Sequence, residues 1–217
     1  MNTQKGRNMD TRKIEDIRIE DYDVVADEPA ELESSINIHN ITHDDMKNGD
    51  GLRVVLWVAG CSHHCKECQN PQTWDANGGI PFTQWEESEL FEWLDKSWTQ
   101  GITFSGGDPL HEENRNYIGQ LIDKIVKTRP DKDIWLYTGY KLVESTDGFV
   151  LEDGNGKQFS YPQLKNIDVL VDGRFECDIR KHDIASGRKV LWRGSSNQRI
   201  IDVKKSFEKG TIILKEE

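Results

Sequence analysis

Three cysteines lie close together in the sequence and carry its clearest chemical signal. Cys61, Cys65 and Cys68 are separated by three and two residues, whereas the fourth cysteine, Cys177, lies far along the chain. Disulfide frameworks are typical of small secreted domains, in which the cysteines are spread through the whole sequence. The tight spacing instead predicts thiolates that converge from one loop on a metal or an iron–sulfur cluster.

Two kinds of centre fit this loop. Zinc could be held by the three cysteines together with His63 or His64, although structural zinc ligands usually come as two separated pairs. A four-iron cluster normally takes four cysteines, so three of them predict a cluster with one iron open to a substrate. Cys177 is either the fourth ligand or a small buried apolar residue. The two histidines are also interpreted as neighbours that tune the centre or face solvent.

The cysteine loop directly follows a predicted strand. Residues 53–59 are largely apolar and are bounded by Gly51 and Gly60, as is typical of a buried strand. Further strands are predicted at residues 101–104, 133–137, 167–171, 189–193 and 199–203. Two helices lie between them, one opened by a Thr83–Glu86 capping box and the other spanning about residues 112–127. The alternation predicts an α/β fold with a parallel sheet, either open or curled into a partial barrel.

Several polar or glycine-rich loops follow these strands and are expected at one edge of the sheet. In both architectures ligands bind at the carboxyl ends of the strands. That edge collects the cysteine loop, residues 105–109, residues 138–140 and residues 172–173. Gly106 and Gly107 would let the backbone approach a ligand closely, or would only turn the chain. Thr138 and Asp172 are either ligand contacts or polar residues that end strands.

Charge divides the chain into two parts. The whole sequence has 28 Lys and Arg residues against 39 Asp and Glu, a formal net charge of −11. Residues 1–34 contain ten acidic and five basic residues and few apolar ones, so we expect a flexible acidic extension. Residues 35–217 are expected to form one catalytic domain, with an inserted hairpin near residues 149–159, where glycines permit a tight turn.

Composition also argues against several classes of function. Hydrophobic residues make up 35% of the chain and charged residues 31%, and no apolar run reaches the roughly 20 residues of a membrane helix. The acidic balance argues against binding to the phosphate backbone of nucleic acids. Since the first residues lack the apolar stretch of a secretory signal, we expect a cytoplasmic protein.

Two loops together resemble the radical S-adenosylmethionine superfamily, namely the three cysteines after one strand and residues 105–109, Ser-Gly-Gly-Asp-Pro, after the next. Longer runs resemble the activating proteins of anaerobic ribonucleoside-triphosphate reductases. These runs are residues 135–140 (Trp-Leu-Tyr-Thr-Gly-Tyr), 168–173 (Asp-Val-Leu-Val-Asp-Gly) and 192–198 (Trp-Arg-Gly-Ser-Ser-Asn-Gln). The resemblance spans about residues 36–203 and implies a partial (β/α) barrel with outer helices.

The resemblance implies a set of site residues. Cys61, Cys65 and Cys68 would bind a [4Fe-4S] cluster, and the open iron would bind S-adenosylmethionine. The cofactor-binding residues would be Glu67, Gln69, Ser105, Gly106, Gly107, Asp108, Thr138 and Asp172, with the 106–108 loop at the methionine amine and the Glu67 loop near the adenine. Many superfamily members have an aromatic residue where this chain has Glu67, so the adenine contact would come from the loop backbone.

The resemblance also implies an enzyme, a reaction and partners. A flavodoxin-like or ferredoxin-like donor would supply an electron, S-adenosylmethionine would be cleaved to a 5′-deoxyadenosyl radical, and a glycyl radical would form on the large reductase subunit. Because the cofactor carries the chemistry, no general acid or base is expected. An activase of pyruvate formate-lyase, or of another glycyl-radical enzyme, is the alternative of the same class. A zinc-binding interaction module without enzymatic activity is the alternative of another class.

Overall fold

The computed structural model describes residues 36–216, and the acidic segment 1–34 lies outside the described residues. Within that range a seven-stranded mixed sheet has the order β10-β9-β5-β4-β2-β1-β3. Its strands are β1 (Asn37–Asp45), β2 (Arg53–Val58), β3 (Ile80–Pro81), β4 (Gly101–Gly106), β5 (Asp133–Thr138), β9 (Val169–Asp172) and β10 (Arg199–Asp202). The predicted α/β class with parallel strands is therefore confirmed.

The four central strands, β2, β4, β5 and β9, run parallel and in register. Leu56 pairs with Phe104, Phe104 with Leu136, and Leu136 with Leu170, so one apolar row crosses the sheet. The flanking strands β1 and β10 are antiparallel to their neighbours. Since the central strands are parallel, their carboxyl ends meet at one edge.

Helices cover one face of the sheet. They are α1 (Gln84–Leu94), α2 (Arg115–Thr128) and α4 (Val203–Lys209), and a further helix, α3 (Cys177–Ala185), follows β9 along the chain. The predicted capping box opens α1, where the Thr83 backbone N–H donates to Glu86 Oε2 at 2.8 Å. Leu90 of α1 and Ile122 of α2 pack in one buried cluster with the Leu56 row. Alternate residues, among them Trp135 and Val171, form a separate cluster on the opposite face.

A second, three-stranded sheet follows β5. Strands β6 (Lys141–Ser145), β7 (Gly148–Glu152) and β8 (Gln158–Phe159) pair antiparallel, so the hairpin expected near residues 149–159 is joined by one further strand. The strand predicted at residues 189–193 is wrong, because this segment is irregular. Within residues 36–216, no helix has the length and apolar character needed to cross a membrane.

Candidate functional site

The cysteine loop leaves the carboxyl end of β2 and is held at its base by backbone hydrogen bonds. Gly60 N donates to Thr73 O at 2.8 Å, and Cys61 N donates to Trp74 O at 3.0 Å. Inside the loop, Cys68 N donates to Cys65 O at 3.1 Å. These bonds hold the backbone of the loop against the segment that follows it.

The four cysteines fall into two groups in the structure. Cys61, Cys65 and Cys68 are free, half-buried thiols that line the same cavity. Among residues 36–216, no three His, Cys, Asp or Glu side chains are arranged to hold one metal ion. Thiolates that share a four-iron cluster each bind a different iron, so they need not converge on one point. Cys177, by contrast, is buried at the start of α3 and does not line the cavity.

The surroundings of Cys61 favour the neutral thiol when no metal is bound. Burial raises the pKa of Cys61 to about 12, and the negative charge of Asp108 adds to the shift. A metal cation reverses this balance, because a coordinating thiol is deprotonated. Cys61 would therefore lose its proton when it binds a metal and keep it otherwise.

A cavity of about 410 Å³ lies at the carboxyl ends of the parallel strands. Nine of the predicted site residues line it: Cys61, Cys65, Cys68, Gln69, Ser105, Gly106, Gly107, Asp108 and Thr138. The structure thus brings together the cysteine loop, the loop after β4 and the end of β5. The lining does not include two of the predicted residues, Glu67 and Asp172.

The loop after β4 requires glycine at two consecutive positions. Gly106 has φ +102°, and a Cβ there would lie 2.6 Å from the backbone nitrogen of Val58. A Cβ on Gly107 would lie 2.5 Å from Gly60 O. Gly107 N donates to Val58 O at 2.8 Å, and Asp108 N donates to Gly60 O at 2.8 Å. The glycines therefore let this loop lie directly against the start of the cysteine loop.

Asp108 is buried at the junction of the loops that form the cavity. Its Oδ1 accepts hydrogen bonds from Leu110 N at 2.8 Å and from Thr138 Oγ1 at 2.9 Å. Its Oδ2 accepts from Gly139 N at 2.9 Å and contacts His63 Nε2 at 2.7 Å. These partners come from its own loop, from the end of β5 and from the cysteine loop. The carboxylate therefore ties all three together.

Asp172 does not line the cavity, although Gly173 beside it does, and its partners are structural. Its Oδ1 accepts from Arg199 Nε at 2.9 Å, its Oδ2 pairs with the same guanidinium, and Leu142 N donates to Oδ2 at 2.7 Å. These bonds join β9, β10 and β6. In this structure Asp172 therefore anchors the two sheets to each other, and a contact with the cofactor stays a prediction.

Glu67 also points away from the cavity. Its carboxylate pairs with Lys181 of α3 at 2.6 Å, and both side chains are more than half exposed. The residue has a positive φ of +56°. The side chain thus links the cysteine loop to α3 across the protein surface.

The loop of residues 192–198 also contributes to the cavity, although no site residue was predicted within it. Trp192, Arg193, Gly194 and Gln198 all line the cavity. Gln198 shapes this wall, because its Oε1 accepts from Gly194 N at 2.8 Å and its Nε2 donates to Gly173 O at 2.9 Å. A strand pattern would not reveal these residues, since they form an irregular loop.

Comparisons with known proteins agree with this geometry. A model of the 4Fe-4S single cluster domain family matches residues 47–201. The anaerobic ribonucleoside-triphosphate reductase-activating protein of Enterobacteria phage T4 is 41% identical over 165 residues, covering 76% of this chain and 93% of the relative. The protein of the same name from Escherichia coli strain K12 is also 41% identical over 165 residues, covering 75% and 96%.

One solved structure, that of QueE from Escherichia coli, overlaps 74% of this chain and 81% of its own. Its sequence identity is 11% and its TM-score is 0.37, so this likeness carries no argument.

Proposed function

We propose that this chain, which belongs to the family of anaerobic ribonucleoside-triphosphate reductase-activating proteins and carries a 4Fe-4S single cluster domain, generates a glycyl radical on an anaerobic ribonucleotide reductase. One observation carries the proposal. Three free, half-buried cysteines line the same cavity as residues 105–109, here called the double-glycine loop, at the carboxyl ends of the parallel strands.

The residues present fit a [4Fe-4S] cluster with S-adenosylmethionine beside it. Cys61, Cys65 and Cys68 would hold the cluster, and the cavity has room for a ligand at its open side. When bound, these groups would supply the chemistry, which is one-electron reductive cleavage of S-adenosylmethionine to methionine and a 5′-deoxyadenosyl radical able to take a hydrogen atom from a glycine of the reductase.

The protein's own residues would bind and orient S-adenosylmethionine and would exclude water from it. Gly106 and Gly107 let the loop after β4 lie against the start of the cysteine loop, and the methionine end of the ligand would bind beside both loops. Gln69, Ser105 and Thr138 present polar groups on the cavity wall. In this proposal Asp108 acts by holding the loops, because its oxygen atoms already accept bonds from the protein.

Three further features belong to the same proposal. The sheet would form a partial barrel, with α1 and α2 outside and the face of Trp135 and Val171 inside. The electron would come from a flavodoxin-like or ferredoxin-like protein. A cytoplasmic location is supported by the free cysteines, since reducing compartments keep thiols from pairing.

The test is electron paramagnetic resonance of the large reductase subunit, after anaerobic incubation with the cluster-loaded chain, S-adenosylmethionine and a reductant. We expect a glycyl-radical signal on the reductase. A signal on pyruvate formate-lyase, with none on the reductase, would instead support the alternative activase. About one zinc per chain and no sulfide after reconstitution would contradict radical chemistry altogether.

A further inference from the structure

We propose that His63 is a positioning residue, which locks the cysteine loop to the ends of β4 and β5 through Asp108 and so sets where S-adenosylmethionine lies relative to the cluster. This inference rests on the proposed function and adds to it a residue outside the three-cysteine motif. It concerns geometry alone, because His63 touches the loops that form the site and is not assigned to the reacting atoms.

The contact between His63 and Asp108 is short and protected from water. Nε2 of His63 lies 2.7 Å from Oδ2 of Asp108, and the two side chains are 9% and 2% exposed. A carboxylate oxygen is an acceptor, so Nε2 carries the hydrogen and donates it. Hydrogen bonds to a charged acceptor are stronger than neutral ones, and burial removes the competition from water.

The bond connects elements that are distant in sequence. Asp108 accepts from Thr138 Oγ1 and Gly139 N at the end of β5, and from Leu110 N in its own loop. His63 brings the middle of the cysteine loop, between Cys61 and Cys65, into the same network. Any ligand that touches both the cysteine loop and the double-glycine loop therefore has its binding geometry set across this bond.

The imidazole ring is held in one position by its surroundings. A Cβ on Gly139 would overlap the His63 ring, so glycine at that position makes room for it. Tyr140 packs its ring edge-on against His63, with 4.7 Å between the ring centroids. On the backbone side, the Arg174 guanidinium donates to His63 O. The contacts on several sides distinguish this histidine from one that only fills space at the surface.

The neighbouring histidine provides a matched control. His64 is exposed, and its ring contacts Trp74 edge-on at 4.7 Å rather than the loops after β4 and β5. The two residues have the same side chain and are adjacent in the same loop, between Cys61 and Cys65. A difference between their variants therefore reports the Asp108 network rather than a general effect of losing a histidine near the cluster.

The experiment compares His63→Leu, His63→Gln and His64→Leu with the wild type, all reconstituted anaerobically. Iron and sulfide content measures cluster retention. Equilibrium dialysis with S-adenosylmethionine measures affinity while the cluster is kept oxidised, so that no cleavage occurs. Glutamine can place an amide N–H near the position of the imidazole Nε2, so it is the conservative variant expected to restore the bond.

We expect His63→Leu to keep its iron and sulfide but to bind S-adenosylmethionine about 10-fold more weakly, as for a lost hydrogen bond to a charged group. His63→Gln should recover most of that affinity, and His64→Leu should match the wild type. Equal affinities for His63→Leu and His64→Leu would overturn the proposal. So would a His63→Gln variant as weak as His63→Leu, because ring packing would then explain the loss.

A second measurement applies even if His63→Leu fails to keep its cluster. Unfolding of the metal-free chain is measured for His63→Leu, Asp108→Asn and the double variant. The proposal predicts that the double variant loses less stability than the two single losses added together, since both remove the same bond. Additive losses would overturn it. A wild type that neither binds nor cleaves S-adenosylmethionine would contradict the proposed function instead.

Discussion

Two strand ends on the same edge of the sheet look alike but serve different purposes. At the end of β4, Gly106 precedes Asp108, and at the end of β9, Gly173 follows Asp172. Both aspartates are 1% exposed, and the two glycines have φ of +102° and +95°. The partners of Asp108 come from the loops that form the cavity, whereas those of Asp172 come from β10 and β6. A buried carboxylate at a strand end is thus assigned by its partners, not by its position.

The glycines offer the sharpest test of this comparison. Gly106→Ala should lower the free energy of unfolding by about 4 kcal/mol, combining the cost of a positive φ with a clash against the β2 backbone. Gly173→Ala has the same backbone strain but meets only ordinary contacts at 3.9 Å, so it should lose about 1–2 kcal/mol. Urea unfolding of both variants, without metal and under reducing conditions, measures the difference.

Gly148→Ala is the control for strain alone. Gly148 has φ +120° with nothing within 4 Å of an added Cβ, and it lies in the small sheet away from the site. The Gly148→Ala variant should lose about as much free energy of unfolding as Gly173→Ala. If Gly106→Ala loses no more stability than these two, the close approach of the two loops is not a constraint on the fold.

Substitutions of the two aspartates should affect different properties, stability for Asp172 and affinity for S-adenosylmethionine for Asp108. Asp172→Asn should lower the free energy of unfolding by about 2 kcal/mol, because it weakens a charge-assisted pair with the partly exposed Arg199. Its affinity for S-adenosylmethionine should stay near that of the wild type. Asp108→Asn should weaken that affinity about 10-fold, since an amide cannot accept from all the donors that hold the loops.

Equilibrium dialysis of the cluster-loaded variants, paired with urea unfolding of the metal-free ones, checks both expectations. Each aspartate serves as the control for the other, since their burial is the same. If Asp172→Asn binds S-adenosylmethionine more weakly while it keeps its full cluster content, the distinction between Asp108 and Asp172 is wrong.

A smaller effect concerns the loop of residues 192–198, part of which lines the cavity. Asp183 accepts from Ser196 N at 2.9 Å and from Ser196 Oγ at 2.8 Å. Burial raises the pKa of Asp183, but these hydrogen bonds and the charge of Arg188 outweigh it and leave the pKa below its usual range. A depressed pKa stabilises the fold above the unfolded value of about 4, and the contribution is lost as pH falls through the lower folded value.

Amide hydrogen exchange at Ser196 measures this effect, with protection factors corrected for intrinsic exchange between pH 6 and pH 3. Protection should fall below about pH 4 in the wild type and should be low and nearly independent of pH in Asp183→Asn. A parallel fall in both proteins would show that another group controls this loop.

The parts of the fold that sequence patterns predicted are those governed by local rules. The apolar run of β2 marks a strand buried on both faces, and Thr83 with Glu86 marks a helix start within four residues. The double glycine after β4 was also visible, because only glycine fits a positive φ against a neighbouring backbone. These features depend on residues close in sequence.

The features that could not be predicted depend on contacts between residues that are far apart in the sequence. Strand β1 has the sequence NIHNITHDD, whose many polar residues conceal a strand that pairs with both β2 and β3. Asp108 contacts His63 and Thr138, which lie 45 and 30 residues away in the sequence, and no local sequence pattern indicates these contacts. The pairing of Asp172 with Arg199 was hidden for the same reason, because the two residues come together only when β10 is placed antiparallel to β9.

The most direct test of the central claim is the yield of 5′-deoxyadenosine from S-adenosylmethionine, measured for reconstituted wild type, Cys65→Ala and Cys177→Ser under one reductant. The account predicts cleavage by the wild type and by Cys177→Ser, each with four irons and four sulfides per chain as the cluster formula requires. Cys65→Ala should neither hold that cluster nor cleave. Cleavage by Cys65→Ala, or its loss in Cys177→Ser, would contradict the assignment of Cys61, Cys65 and Cys68 as the cluster ligands.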